Sequence, residues 1–451
     1  MSERSERTIE HGRRVAIVGG GMLGLTLAHR LAQGGASVTV LEAAPELGGL
    51  ASAWELGGVT WDRHYHVTLL SDERVLALVR ELGLGDDLVF STARSGCFAD
   101  GRVHPVSTPL ELLRFRALRP LDRVRIGLTL AVTSKRHDWQ RLERLPVDEW
   151  LVRWSGRRGF QRFWLPLLRS KLGDRYTEAS AAFLWATVQR LTKARRAGLR
   201  TELFGHVRGG YARLLDRLAA TLADEGVTVR TGTPVQRVER SATGVLVTTA
   251  DGTDEFDEVV LTVATPLVSA LVPGLTDDEH ERLRSVRYQG VVCASVLLRR
   301  PLDGYYLTSA VDDGLPFTAV VEMTSIVDPD EVGGHTLVYL PRYAAPEDPL
   351  FRAGDDEVEA SFLAGLRRVY PSVGDDDVLA FRVSRVPRVF AVPTLGYSER
   401  VPPSTTSIPG VSVVTGAQIV NGTLNVEETV TLAEDAAARL LAARPQPIGA
   451  A

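Results

Sequence analysis

The sequence predicts an α/β chain: a Rossmann-like dinucleotide-binding domain carrying an inserted α+β domain made of a helical segment and an antiparallel sheet. Three observations carry that reading. A short apolar strand, Val15 to Val18, runs into Gly19, Gly21 and Gly24 of a G-x-G-x-x-G turn, and a second strand, Val38 to Leu41, ends at Glu42. Further strand-like runs follow a long helical stretch rather than alternating evenly with helices. At 451 residues the chain exceeds the size at which one core keeps growing, so two substructures are expected.

Each glycine of the first turn has its own task. Gly19 permits the tight turn, Gly21 lets a pyrophosphate approach the N–H groups at a helix N-terminus, and Gly24 lets helix and strand pack closely. Glu42 is placed to hydrogen-bond ribose hydroxyls. A hairpin at 53–60 and a helix at 72–82 come next. A mostly helical stretch, 108–225, opens at Thr108-Pro109-Leu110-Glu111, which reads as a capping box with proline at the first helical position. Leu110, Leu113 and Ala117 follow at helical spacing. Strands resume at 227–230, 235–238, 244–249 and 258–263, then at 288–299, 316–324 and 335–341. A helix at 355–370, a strand at 411–415 and a last helix at 426–443 complete the pattern, with disordered tails at 1–12 and 444–451. The expected division is dinucleotide-binding domain at 13–105, 206–280 and 399–445, helical basic insert at 106–205, and substrate-domain sheet and helix at 281–398.

Composition narrows the function. The two cysteines, Cys97 and Cys293, form no C-x-x-C pair, so a reducing compartment and no metal centre are expected. The charged segment Met1 to Thr8 leaves no room for a secretory apolar core, and no apolar run reaches about 18 residues, so the expected location is cytoplasmic. Formal net charge is −4, but residues 114–200 hold 21 Lys/Arg against 7 Asp/Glu. Such an insert reads either as a solvated face or as a contact for an anionic substrate or a membrane surface. No nucleic-acid module accompanies it, and no pattern specifies an oligomer.

After Glu42 the chain reads Ala43-Ala44-Pro45-Glu46-Leu47-Gly48-Gly49-Leu50. With the first glycine turn, this resembles the superfamily of FAD-binding amine oxidases, phytoene desaturases and protoporphyrinogen oxidases, which also includes UDP-galactopyranose mutases. The resemblance implies FAD as cofactor, with Gly48 and Gly49 along its pyrophosphate. It also implies that Val235, in Thr233-Pro234-Val235, meets the adenine through its backbone. Thr415-Gly416-Ala417-Gln418 and the run Asn421 to Asn425 would cover the ribityl and isoalloxazine, with Gly416, Gln418 and Asn425 as contacts. The chain departs from the family at Leu50, where many amine oxidases have Arg, and at Ala417, where many members have an acidic residue.

Candidate chemistry lies first in Asp62-Arg63-His64-Tyr65-His66, where related proteins run a loop toward the flavin. His64 or His66 could act as acid or base, with Tyr65 between them, or the rings could pack structurally. As metal ligands they lack a third partner. Arg169, Lys171 and Arg175 form a candidate substrate anion site. Glu322, Tyr339 and Tyr397 are candidate cavity groups, being polar residues in or beside apolar strands. The three lysines, Lys135, Lys171 and Lys193, all lie outside 280–345, where amine oxidases typically carry one. No second G-x-G-x-x-G is present, so oxygen, a quinone or a partner protein is the expected electron acceptor. The leading expectation is an FAD-dependent oxidoreductase moving hydride from a medium-sized, partly apolar small molecule to flavin N5. A redox-neutral isomerase of a nucleotide sugar and a flavin-binding protein without turnover are the alternatives.

Overall fold

The computed structural model describes residues 12–114, 118–195, 203–420 and 422–443. The expected tails beyond Gly12 and Ala443, together with Ala117 and Asn421, lie outside those residues. Strand Arg14–Val18, helix Met22–Gln33 and strand Ser37–Leu41 make the first β-α-β unit. They belong to a five-stranded, wholly parallel sheet in the order 228–230, 37–41, 14–18, 258–261, 411–413. Its strands are continuously apolar because both faces are covered. Ile17, Val40 and Val260 pack toward the helices 22–33 and 426–442, while Ala16, Val18, Val259 and Leu261 face the small sheet 237–256.

A mixed seven-stranded sheet carries the second layer, in the order 378–391, 288–298, 336–344, 319–322, 307–310, 95–99, 102–105. Alternation gives it two distinct faces. Val292, Val296 and Val338 pack under helix Asp355–Val369, whereas Val291, Cys293 and Tyr339 point toward the hairpin residue Trp61. The helical insert closes around Trp150, Leu151, Phe160, Trp164 and Leu168. The predicted capping box is present, with Glu111 N–H on Thr108 Oγ1 and Thr108 N–H on Glu111 Oε2.

Several elements differ from the sequence reading. Strand Leu203–Val207 interrupts the stretch expected to be helical, because it pairs with both 68–69 and 88–92. The strands 95–99 and 102–105 join the seven-stranded sheet rather than the parallel one. Strand Val378–Ala391 was not expected at all, since its arginines and Pro387 obscure the apolar alternation. It lies at the sheet edge, where a missing N–H and solvated arginines are tolerated. Strand Thr336–Ala344 also runs on past Pro341, since one missing donor does not break its nine-residue ladder with 288–298. Among the described residues no helix is long and apolar enough to cross a membrane.

Candidate flavin and substrate site

The first glycine turn leaves a shaped gap at the N-terminus of helix Met22–Gln33. Gly19 has φ +115°, and a Cβ on it would lie 2.6 Å from Thr262 Oγ1. A Cβ on Gly24 would lie 2.0 Å from the Gly19 carbonyl oxygen, so this glycine is required by helix-to-strand packing alone. Gly21 is different: a Cβ there would meet nothing nearer than Gly48 O at 3.9 Å and Gly49 Cα at 4.0 Å. The Gly48–Gly49 pair lies directly across from it, tied by Gly48 N–H to Gly20 O at 2.8 Å. No side chain caps the helix at Gly21, and no acidic residue lies in its first turn. Its N–H groups and dipole therefore face an opening suited to an anion. Glu42 is held across the same turn, accepting from Gly20 N–H at 2.6 Å and Ala44 N–H at 2.8 Å.

The C-terminal segments behave less uniformly. Asn425 caps helix Val426–Ala442, accepting from Glu428 N–H at 3.0 Å. Gln418 accepts from Thr415 N–H and donates to the carbonyls of Pro402 and Val413. Its amide thus fastens the turn Gly416–Gln418, which corrects the expectation of a free ribityl contact from that side chain. Ala417 is buried against Val286 and Tyr288, an apolar setting where a carboxylate would be costly. Tyr397 donates to Ala417 O at 2.7 Å, so its hydroxyl positions this turn rather than facing a cavity. Val235 packs at the margin of the core that holds Val18 and Leu41, beside the strand end at Glu42.

The His64 loop is fixed from three sides. Tyr339 donates to the carbonyl of Asp62, and Asp62 Oδ1 accepts from Tyr211 N–H at 2.7 Å. His66 packs on Tyr211 with ring centroids 4.9 Å apart and has Nδ1 3.9 Å from Asp62 Oδ2. His66 thus packs between the hairpin and helix Gly210–Asp224, with its Nδ1 also buried and without a hydrogen-bond partner among the described residues. His64 donates from Nδ1 to Leu50 O at 3.1 Å, joining the loop to the residue after the Gly48–Gly49 pair. Its Nε2 is buried with no partner among the described residues. Burial pushes His64 down to about 4 and His66 to about 3, and it pushes Asp62 up to about 7 against the Tyr211 and Ala212 N–H bonds. His64 is thus neutral at ordinary pH, the form that accepts rather than donates at Nε2.

These shifts predict a stability profile. Each histidine folds neutral, so its contribution is full above about 6.5 and is lost as pH falls toward its folded value, by about 2 kcal/mol each at pH 5. Asp62 acts oppositely, because its raised pKa favours folding as pH falls below about 7. Tm is expected to drop modestly between pH 7 and 5, and Asp62→Asn, lacking the opposing carboxyl, is expected to drop more steeply. Thermal melts across that range check this; parallel curves for the two proteins would refute it.

The substrate candidates separate sharply. Glu322 lies on the face of the sheet under helix 355–369, opposite Val338, and accepts from Leu302 N–H at 2.9 Å and Gly304 N–H at 3.0 Å. It clamps a loop, and the pleat puts it on the other face from Tyr339. Arg169 pairs with Asp174 at 3.3 Å and Arg175 with Glu347 at 3.1 Å. Arg175 also reaches the sheet, donating from Nη1 to the Tyr288 carbonyl at 3.4 Å, while the exposed Lys171 donates to Tyr343 Oη at 3.0 Å and Tyr65 Oη at 3.3 Å. The Lys171 Nζ stands 4.5 Å from the Tyr343 ring centre. Burial beside Tyr343 holds Tyr65 well above the usual phenol range, so the Tyr65 hydroxyl is neutral. The sheet face therefore does carry an ammonium, delivered by the insert. Gln289 is fully buried with both amide atoms unpartnered, and a Cβ on Gly173 would lie 3.1 Å from its Nε2.

A sequence model described as flavin containing amine oxidoreductase matches residues 23–441. The chain belongs to this family. Membership implies FAD as cofactor, and the open face at Gly21 with its opposing glycine pair fits the pyrophosphate of FAD. Coproporphyrinogen III oxidase of Mycobacterium tuberculosis (strain ATCC 25618 / H37Rv) is 29% identical over 296 residues, 61% of this chain and 64% of that protein. The matched part is thus less than two thirds of the relative's length. Among solved structures, a putative protoporphyrinogen oxidase from Exiguobacterium sp. 255-15 superposes with a TM-score of 0.76 at 19% identity, covering 95% of this chain and 98% of that one. A triple mutant of putrescine oxidase also has a TM-score of 0.76 at 19% identity, covering 96% and 99%. These two share the fold.

Sequence reasoning missed Tyr343 and Gln289. Tyr343 is four residues after Tyr339 and so on the same face of one strand, a signal lost when the strand was ended at Pro341. Gln289 stands in a wholly buried strand, where an amide between Tyr288 and Gly290 was the available mark.

Proposed function

We propose that this flavoenzyme removes hydride from a medium-sized, partly apolar small molecule that carries an acidic group. The observation that supports this most is Lys171: an ammonium on an aromatic wall, held by the hydroxyls of Tyr65 and Tyr343 and paired with no carboxylate among the described residues. A cation so placed attracts a carboxylate or phosphate and repels a substrate amine. The reading therefore favours a substrate like the one named in the coproporphyrinogen III oxidase relatives over a diamine like that named in putrescine oxidase.

FAD supplies two-electron acceptance when bound. The chain's residues supply the rest. Gly21, Gly48 and Gly49 admit the cofactor, Tyr339 and Leu50 fix the His64 loop, and Lys171 anchors the acidic end of the substrate. The buried Nε2 of His64 offers one acceptor to an N–H or O–H of the bound molecule. Anaerobic spectra of the purified protein test the reading. Coproporphyrinogen III is expected to bleach the oxidised flavin band, and putrescine is not. Bleaching by putrescine alone would overturn the acidic-substrate assignment; UDP-galactopyranose turnover only after prior reduction would replace it with the isomerase. Lys171→Met is expected to raise KM for the acidic substrate about tenfold with kcat nearly unchanged, since one charge-assisted contact is lost. An unaltered KM would remove Lys171 from the site.

A further inference from the structure

Helix Pro120–Lys135 carries an apolar stripe on its outward side. Its inward side mixes core and polar groups: Ile126 is fully buried, Thr129 Oγ1 bonds Ser155 Oγ at 3.0 Å, Thr133 Oγ1 bonds Thr129 O, and buried Asp122 lies 3.5 Å from Arg158. Its outward side is apolar, with Leu121, Val124 and Leu128 at 59%, 54% and 57% exposure. Leu110, on the preceding helix, is 55% exposed. The surroundings of the stripe are cationic. Arg114, Arg119, Arg125 and Lys135 are exposed, and the helix's one carboxylate, Asp122, is turned inward.

A soluble surface helix places its polar residues outward, so this arrangement marks a contact face. We propose that this face docks on the surface of a bilayer containing anionic lipid. Leucine and valine side chains would enter the headgroup boundary while the flanking arginines meet lipid phosphates. The helix has 16 residues and is not apolar all round, so it lies on the membrane rather than across it. A second copy of this chain fits less well, because a two-fold contact through this face would set the arginines of one copy against those of the other.

Vesicle co-sedimentation of the FAD-loaded protein tests the proposal, with phosphatidylcholine vesicles and with mixed phosphatidylcholine and phosphatidylglycerol vesicles. The expected result is pelleting with the mixed vesicles and at least about tenfold weaker binding to phosphatidylcholine alone. The triple variant Leu121→Ser, Val124→Ser, Leu128→Ser should lose at least about tenfold in vesicle binding. Arg119→Gln with Arg125→Gln should lose mainly the preference for anionic lipid. The flavin spectrum confirms that each variant is folded. A wild-type protein that stays in the supernatant, or a triple variant that pellets like wild type, would overturn the assignment. Light scattering that shows a dimer abolished by the triple substitution would assign the face to a second copy instead.

Discussion

Gly21→Val is expected to leave a folded chain that no longer retains FAD. The two halves of that outcome come from different measurements. In the chain itself the backbone at Gly21 has φ −78° and ψ 175°, extended values that valine adopts freely, and its nearest neighbours in the Cβ direction are 3.9 Å and 4.0 Å away. The added methyls would project into the opening between the helix N-terminus and the Gly48–Gly49 pair. Any group bound to those N–H donors would meet them at van der Waals overlap. A weakening of about a hundredfold or more in FAD affinity is expected, equivalent to about 2.7 kcal/mol. Flavin content by absorbance after desalting, together with a thermal melt, checks both halves. Gly24→Val is the contrasting control. Its Cβ would overlap the Gly19 carbonyl, so it should unfold the unit whether or not cofactor is present. Full flavin content in Gly21→Val would show that the cofactor does not pass this turn.

His64→Ala is expected to lower kcat by about tenfold to a hundredfold, about 1.4 to 2.7 kcal/mol, with flavin still bound. The Nδ1–H bond to Leu50 leaves Nε2 as the lone-pair side of a neutral ring, and it has no partner to satisfy it. A buried acceptor without a partner is disfavoured in the free chain and is satisfied when a donor binds. Alanine removes that acceptor. His64→Gln, which keeps an amide donor for Leu50 and an oxygen acceptor, should recover part of the loss. The acid limb decides between a structural ring and an acceptor at the site. Because burial holds the imidazole near 4, wild-type kcat should be level from pH 5 upward, with no inflection near 6.5 from this residue. Wild-type kinetics in His64→Ala would return the ring to a purely structural place, and an inflection near 6.5 that persists in Asp62→Asn but is lost in His64→Ala would show a solvated histidine.

The two predictions draw on different kinds of information. The glycine turn, Glu42 and the Gly48–Gly49 pair were legible because each depends on local backbone geometry, which residue type and spacing specify directly. The parallel sheet was legible for a related reason: strands buried on both faces read as unbroken apolar runs. The edge strand 378–391 was not, since solvated arginines and Pro387 break its alternation and nothing local reports its long ladder with 288–298.

For side chains the limit is sharper. The sequence established an FAD-type nucleotide fold, the absence of lysine from the sheet and a basic insert. It put Arg169, Lys171 and Arg175 on an equal footing, and likewise His64 and His66. Only the tertiary structure decided between them, because a charged or polar group is defined by partners far away in the chain. Arg169 pairs with Asp174, and Arg175 with Glu347 and the Tyr288 carbonyl, whereas Lys171 meets the Tyr65 and Tyr343 hydroxyls. Tyr211 packs on His66, and Leu50 orients His64 with one nitrogen unbonded. Local geometry is written in neighbouring residues; electrostatic environment is set by contacts of high sequence separation, and those exist only once the chain has folded.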